Sequence, residues 1–300
     1  MLLVVMTLSR SACAVLVLLL ARAASAEEAL PQSSLDLLNK ARALYSAKKL
    51  DEAITVCKDG YKQAEEERAS ADAGKDARGA VQAQYRMALL LQAMGHVYAA
   101  QNHPDPAVES YRKSWEHAEQ SIGRQPGTQA VAASFLQGYA SYSRSIKRYD
   151  EAEKLFAKLR ELQGFLQGAQ SLAVAMTALE RANCLKELGK PNEAAPLYTE
   201  ALTMAQDTHG GNPMALFTFY SDAADFYKRQ KDWPKTETLL QRALAVAQAS
   251  LDPGSVTLAD VLDELAAVCQ AREKPADAKK YRERAQQIRE AAKAPAPAQP

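Results

Sequence analysis

The chain has 300 residues, 47% of them hydrophobic and 24% charged, which is ordinary for a folded protein. Its 13 glycines and 13 prolines exclude a collagen-like or low-complexity body. With 37 Lys+Arg against 36 Asp+Glu the net charge is +1, and no basic run interleaves with aromatics, so nothing points to nucleic acid or an acidic membrane as partner.

Residues 1–26 have the layout of a secretory signal peptide. Arg10 supplies a positive charge, a short apolar stretch follows it, and Ala24-Ser25-Ala26 is a small-x-small cleavage site. Loss of Arg10 and Arg22 with the leader leaves 35 cationic against 36 anionic residues. The expectation is an exported protein, periplasmic or secreted, with no membrane span after cleavage. An uncleaved anchor is the alternative, because residues 1–8 are also apolar. Residues 27–34 form a short polar lead-in.

From residue 35 to 290 the chain repeats itself. Six segments share a turn, a polar residue, a small residue and then an apolar or aromatic residue: KKLDEAITVC, HPDPAVESY, KRYDEAEKLF, GKPNEAAPLY, KDWPKTETLL and EKPADAKKYR. The small position is Ala53, Ala107, Ala152, Ala194, Thr236 and Ala278, at successive intervals of 54, 45, 42, 42 and 42 residues. A second small position precedes it (Ala41, Gly95, Ala140, Ala182, Ala224, Ala266). A third landmark follows it (Gly60, Ser114, Leu159, Ala201, Ala243, Ala285). Two antiparallel helices approach closely only where facing side chains are small. Leu44, Tyr98, Leu185, Tyr227, Tyr111, Phe156, Tyr198 and Leu240 fall at helical spacing beside those contacts, as gap fillers would. Pro104, Pro106, Pro191, Pro234 and Pro275 sit where a second helix would start, where a missing amide costs nothing. The long first interval predicts an extended helix end and a loop over residues 65–79. Residues 291–300, rich in Ala and Pro, are expected to be a disordered tail.

This small–small–apolar pattern resembles the tetratricopeptide repeat family over most of the chain, and the 42-residue period resembles its kinesin light chain subtype. The resemblance implies an all-α, right-handed solenoid of about six helical hairpins and about twelve helices, without β-sheet. The expected repeats are 35–68, 86–122, 132–167, 174–209, 216–251 and 258–290. Arg181, Thr236 and Arg282 depart from the pattern, and the polar last repeat suits a solvent-facing cap. In that family the first helix of each hairpin lines a concave groove. The positions carried over onto it here include His96, Ser141, Arg144, Asn183, Lys186, Asp225 and Lys228. An Asn there can pair with both groups of a peptide bond, and the cations could meet acidic side chains or a terminal carboxylate.

The sequence offers little chemistry besides. It has no H-E-x-x-H, phosphate-binding Gly loop, G-x-S-x-G or C-x-x-C. Ser46-Ala47-Lys48-Lys49 satisfies S-x-x-K only formally. His96, His103, His117 and His209 do not converge in a hairpin, so no metal site and no cofactor is expected. Cys57, Cys184 and Cys269 read as small buried hydrophobes. The aromatics Phe217, Phe219, Tyr220, Phe226, Tyr227 and Trp233 read as core. The favoured function is therefore a non-enzymatic scaffold that binds a protein or peptide of unknown identity. The alternatives are a small-ligand or metal-binding helical repeat, or an accessory subunit of an envelope enzyme. Homo-oligomerisation is compatible with each.

Overall fold

The computed structural model describes residues 32–121, 129–208 and 213–293. The leader, most of the lead-in, His209, the glycine-proline stretches 123–127 and 210–212, and most of the tail lie outside the described residues.

Twelve helices make up the described chain, with no strand among the described residues. They are α1 (Gln32–Ser46), α2 (Leu50–Ala73), α3 (Ala77–Ala100), α4 (Pro104–Ser121), α5 (Gln129–Ser145) and α6 (Tyr149–Gln167). The rest are α7 (Leu172–Glu187), α8 (Pro191–Thr208), α9 (Pro213–Arg229), α10 (Trp233–Ser250), α11 (Val256–Ala271) and α12 (Pro275–Lys293). The chain forms two compact units, one ending at Leu166 and one starting at Gln167, each with three consecutive helical hairpins. None of these helices is long and apolar enough to cross a membrane.

Local chemistry explains the helix boundaries. Pro104, Pro191 and Pro275 are the first residues of α4, α8 and α12. Asp76, Ser171 and Asp232 cap α3, α7 and α10, each side chain accepting from an amide three residues on. Each hairpin turns in the same way. Lys48, Asn102, Lys147, Gly189, Lys231 and Glu273 occupy equivalent places, and all have positive φ. The next amide donates to a carbonyl five residues back, as in Lys49 to Leu44, Lys190 to Leu185 and Asp232 to Tyr227. This is the left-handed helix stop that glycine adopts without strain. Only Gly189 among the six is glycine. Gly189→Ala is therefore expected to destabilise the second unit by about 1 kcal/mol, and Lys231→Gly to stabilise it, by somewhat less because glycine gains freedom when unfolded. Paired urea titrations check both signs.

The eighteen landmark positions are all buried. Thr236, where the pattern expects Ala, fits because its hydroxyl donates to the Asp232 carbonyl at 2.8 Å and is fully covered. In the second unit Ala182, Ala194, Ala201, Ala224, Ala243 and Ala285 join one core that runs through α7 to α12. Phe219, Tyr220 and Phe226 are buried in that core, while Phe217, Tyr227 and Trp233 pack against it, half-buried. Cys57, Cys184 and Cys269 are buried thiols.

The first interval holds the expected extended helix end and a loop, and that loop is only three residues long. Helix α2 continues through Ala73 and α3 already begins at Ala77, well ahead of residue 86, leaving Gly74–Asp76 as the turn. The stretch is rich in alanine, a strong helix former, and Asp76 caps α3 at once by accepting from the Gly79 amide.

Candidate binding face

His96, Ser141, Arg144, Asn183, Lys186, Asp225 and Lys228 lie on the first helices of the hairpins, α3 and α5 in the first unit and α7 and α9 in the second. The two units present different chemistry.

In the second unit the polar residues bind one another across neighbouring hairpins. The Asn183 amide donates to Asp222 at 2.7 Å and accepts from the Tyr198 hydroxyl at 2.6 Å. One turn further along, the Lys186 ammonium sits 2.8 Å from Asp225. Lys228 reaches Glu264 on α11 at 2.9 Å. Arg229 bridges back to Glu187 at 3.0 Å and to Asp225 at 3.3 Å. The result is a ladder of amide and ion pairs from α7 to α9 to α11. Its inner rungs are sheltered: Asn183 is 9% exposed and the Lys186 side chain 10%. Burial pushes the Asp225 carboxyl up. The hydrogen bond from Lys186 and the charges of Lys186, Arg229 and Lys228 more than reverse this and hold it below its ordinary range. Burial, and then the nearby carboxylates Asp222 and Asp225, raise the Tyr198 hydroxyl, so it stays a donor.

Asn183 and Lys186 on α7 and Asp225 and Lys228 on α9 are thus linked through these pairs. Each of them already has a side-chain partner within the chain. A ligand carboxylate approaching Lys186 competes with Asp225, and one approaching Lys228 competes with Glu264.

In the first unit the face is aromatic. The His96 ring stands edge-on to Tyr111 with centroids 5.3 Å apart, and Nδ1 shares a 2.7 Å hydrogen bond with its hydroxyl. Burial lowers the His96 pKa to about 4, so the ring is neutral at neutral pH. Tyr111 also meets Tyr142 at 5.0 Å. Gly95 makes room for this cluster, since a Cβ there would lie 3.0 Å from the Tyr111 ring. Ser141 is exposed on α5, and Arg144, one turn later, is half-buried. Tyr61 pairs with His117 at 3.4 Å, away from His96, and His103 lies in the turn before α4. Among the described residues no three His, Cys, Asp or Glu side chains gather as a metal cluster would require.

Sequence reasoning missed three groups. The acidic halves of the ladder, Asp222 and Glu264, precede the small landmarks Ala224 and Ala266 by two residues, and that repeated offset was a usable signal. Arg86 is buried against Glu67 and gave no signal, because an arginine on a helix reads as surface. Glu237 is 9% exposed and is held by Arg272 and Lys274 from the turn of the next hairpin.

The consecutive hairpins, with small residues at most of their buried landmark positions, define a helical-repeat protein. The tetratricopeptide repeat model matches residues 130–207 and 216–291, together just over half of the chain, and the chain belongs to that family. No curated protein matches the sequence. Among solved structures, BtubC (BKLC) from P. vanneervenii is 20% identical with a TM-score of 0.63, covering 84% of this chain and 96% of that one. A putative kinesin light chain from Podosopora anserina with nearly identical repeats is 14% identical, with a TM-score of 0.58 and coverage of 71% and 99%. The Rap conjugation gene regulator of plasmid pLS20, solved in complex with the Phr* peptide, is 14% identical, with a TM-score of 0.50 and coverage of 87% and 76%. These likenesses are likenesses of fold.

Proposed function

We propose that this protein is an exported interaction scaffold of the cell envelope that holds a peptide or protein segment along the concave face formed by the first helices of its hairpins. The observation that carries the reading is the ladder across α7, α9 and α11. It fixes polar groups in place before any partner arrives, and preorganised groups cost little ordering entropy on binding. Family membership supports a scaffold. The peptide complex of the Rap regulator illustrates that a chain of similar fold takes a peptide. The three successive 42-residue intervals support the kinesin light chain-like subtype, and the composition of residues 1–26 supports export. Because the cations are already neutralised within the ladder, the partner is selected by hydrogen bonding and shape more than by net charge.

Site-specific photo-cross-linking in envelope extract tests the face. Exposed Ser141 and Ala267 stand on first helices, whereas exposed Lys154 and Lys279 stand on second helices. Adducts from Ser141 and Ala267, absent from Lys154 and Lys279, are the expected result, and the reverse pattern overturns the reading. Export is read separately from the mass of the chain recovered outside the cytoplasm, which is expected to begin at Glu27.

A further inference from the structure

The first unit lacks the acids that close the ladder in the second. Two residues before the small landmark, where α9 and α11 carry Asp222 and Glu264, helices α3 and α5 carry Ala93 and Gly138. The surface at Gly138 is bare. A Cβ there would meet only Nε2 of Gln92, at 3.3 Å. Gln92 is half-buried on α3, and its amide has no hydrogen-bond partner among the described residues.

Aromatic side chains stand beside this gap. Gln92 and Gly138 lie four residues before His96 and Tyr142, so on each helix the two positions share a face. Each first helix of the unit gives one ring: Tyr45 from α1, His96 from α3 and Tyr142 from α5, all half-buried. They gather on the buried Tyr111 of α4, whose ring lies 5.3 Å from His96 and 5.0 Å from Tyr142. Burial first, then Tyr142 and Tyr45, raise the Tyr111 hydroxyl, which places Tyr45 near the same ring. His96 is neutral, so the row of rings carries no charge of its own at neutral pH.

A row of rings beside small residues, with one unbonded amide, is the chemistry that takes a proline-rich strand. Polyproline II has no internal hydrogen bonds, so its carbonyls are open to such an amide, and its stiff backbone loses little freedom on docking. This chain carries a segment of that kind. Residues 294–300, past the end of α12, read Ala-Pro-Ala-Pro-Ala-Gln-Pro, without charged side chains and with alanine between the first prolines. As polyproline II those residues would extend about 22 Å. Three neighbouring first helices at about 9 Å between axes span about 18 Å. Docking therefore uses nearly the whole segment and leaves little to bridge from α12, which belongs to the other unit.

We infer that residues 294–300 of one copy dock across Tyr45, His96 and Tyr142 of a second copy, so that the chain associates with itself through its Ala-Pro tail. The assignment rests on the reading of the first helices as the binding face, and it gives that face in the first unit an occupant that an outside partner must displace.

The test is photo-cross-linking between copies of the full chain. Light chains carrying benzoylphenylalanine at Ala298 are mixed with isotopically heavy chains that lack it, and light–heavy adducts are mapped by mass spectrometry. Adducts on α3 and α5, near Gln92 and Tyr142, are the expected result. Pro295→Ala, Pro297→Ala and Pro300→Ala together, outside every described helix, are expected to reduce them about tenfold. Gly138→Glu in the heavy chain is expected to do the same. Its Cβ meets only the end of the flexible Gln92 side chain, and Glu favours helix over Gly, so the fold is kept while the gap is filled. Absence of light–heavy adducts, adducts confined to second helices, or undiminished adducts from the alanine-substituted tail would each overturn the inference. Cross-links from Ser141 to an envelope protein that persist in those cases leave the scaffold reading standing, so the two fail separately.

Discussion

Replacing Ala201 with leucine is expected to cost the second unit about 3 kcal/mol, whereas the same replacement at Ala267 is expected to change its stability by less than about 0.5 kcal/mol. Both are alanines on helices of one unit, α8 and α11. Ala201 is fully buried and lies in the core shared by α7 to α12, where no space exists for three more heavy atoms. The facing helix must move outward or the leucine must leave its rotamer. In a stack of hairpins a displaced helix also loosens the interface to the next hairpin, so the cost spreads beyond the substituted pair. Ala267 is exposed, one residue after the buried landmark Ala266, and its Cβ points to solvent. Urea titrations followed by far-UV circular dichroism measure both. Equal midpoints for the two variants would contradict the register that places every landmark inside.

The same register explains why so much of the fold was legible. A residue that must be small to let two backbones approach leaves a mark at fixed intervals, and that mark survives even when Thr236 stands in for Ala. The turns were legible as turns, but their shared left-handed residue was not, since Lys48, Lys147, Lys231 and Glu273 carry no glycine signature. Polar contacts were read only in half. The periodicity placed Asn183 and Lys186 on the right face. It could not say that their partners come from the same chain, because a residue on one first helix meets its neighbour 39 positions on and not 42. That difference of three residues is nearly one helical turn of stagger between adjacent hairpins. It turns an apparent row of free cations into a closed ladder. Arg86 lay beyond reach for another reason. Its burial goes with the lengthened connection between the first and second hairpins, and a feature that occurs once has no period to betray it.

The ladder makes a second strong expectation, in which the two ends of one ion pair behave differently. Asp225→Asn is expected to destabilise the second unit by about 2 kcal/mol, while Lys186→Met is expected to cost under about 1 kcal/mol. The Lys186 ammonium is sheltered, and its hydrogen-bonded partner is Asp225 at 2.8 Å, with Glu187 only at 4.0 Å. Taking the charge from Asp225 leaves that ammonium largely uncompensated where water does not reach it well, and it strands the Nε of Arg229 as well. Methionine in place of Lys186 keeps the aliphatic stem packed and removes the charge that needed a partner. Asp225 then retains Arg229 at 3.3 Å. The asymmetry also bears on binding. If the ladder presents preorganised polar groups to a partner, Lys186→Met should leave the fold intact and yet weaken cross-linking from Ala267. Were Lys186→Met to bind its partner undiminished, the ladder would be a device that aligns hairpins, and recognition would fall to the aromatic face of the first unit, around His96 and Tyr142.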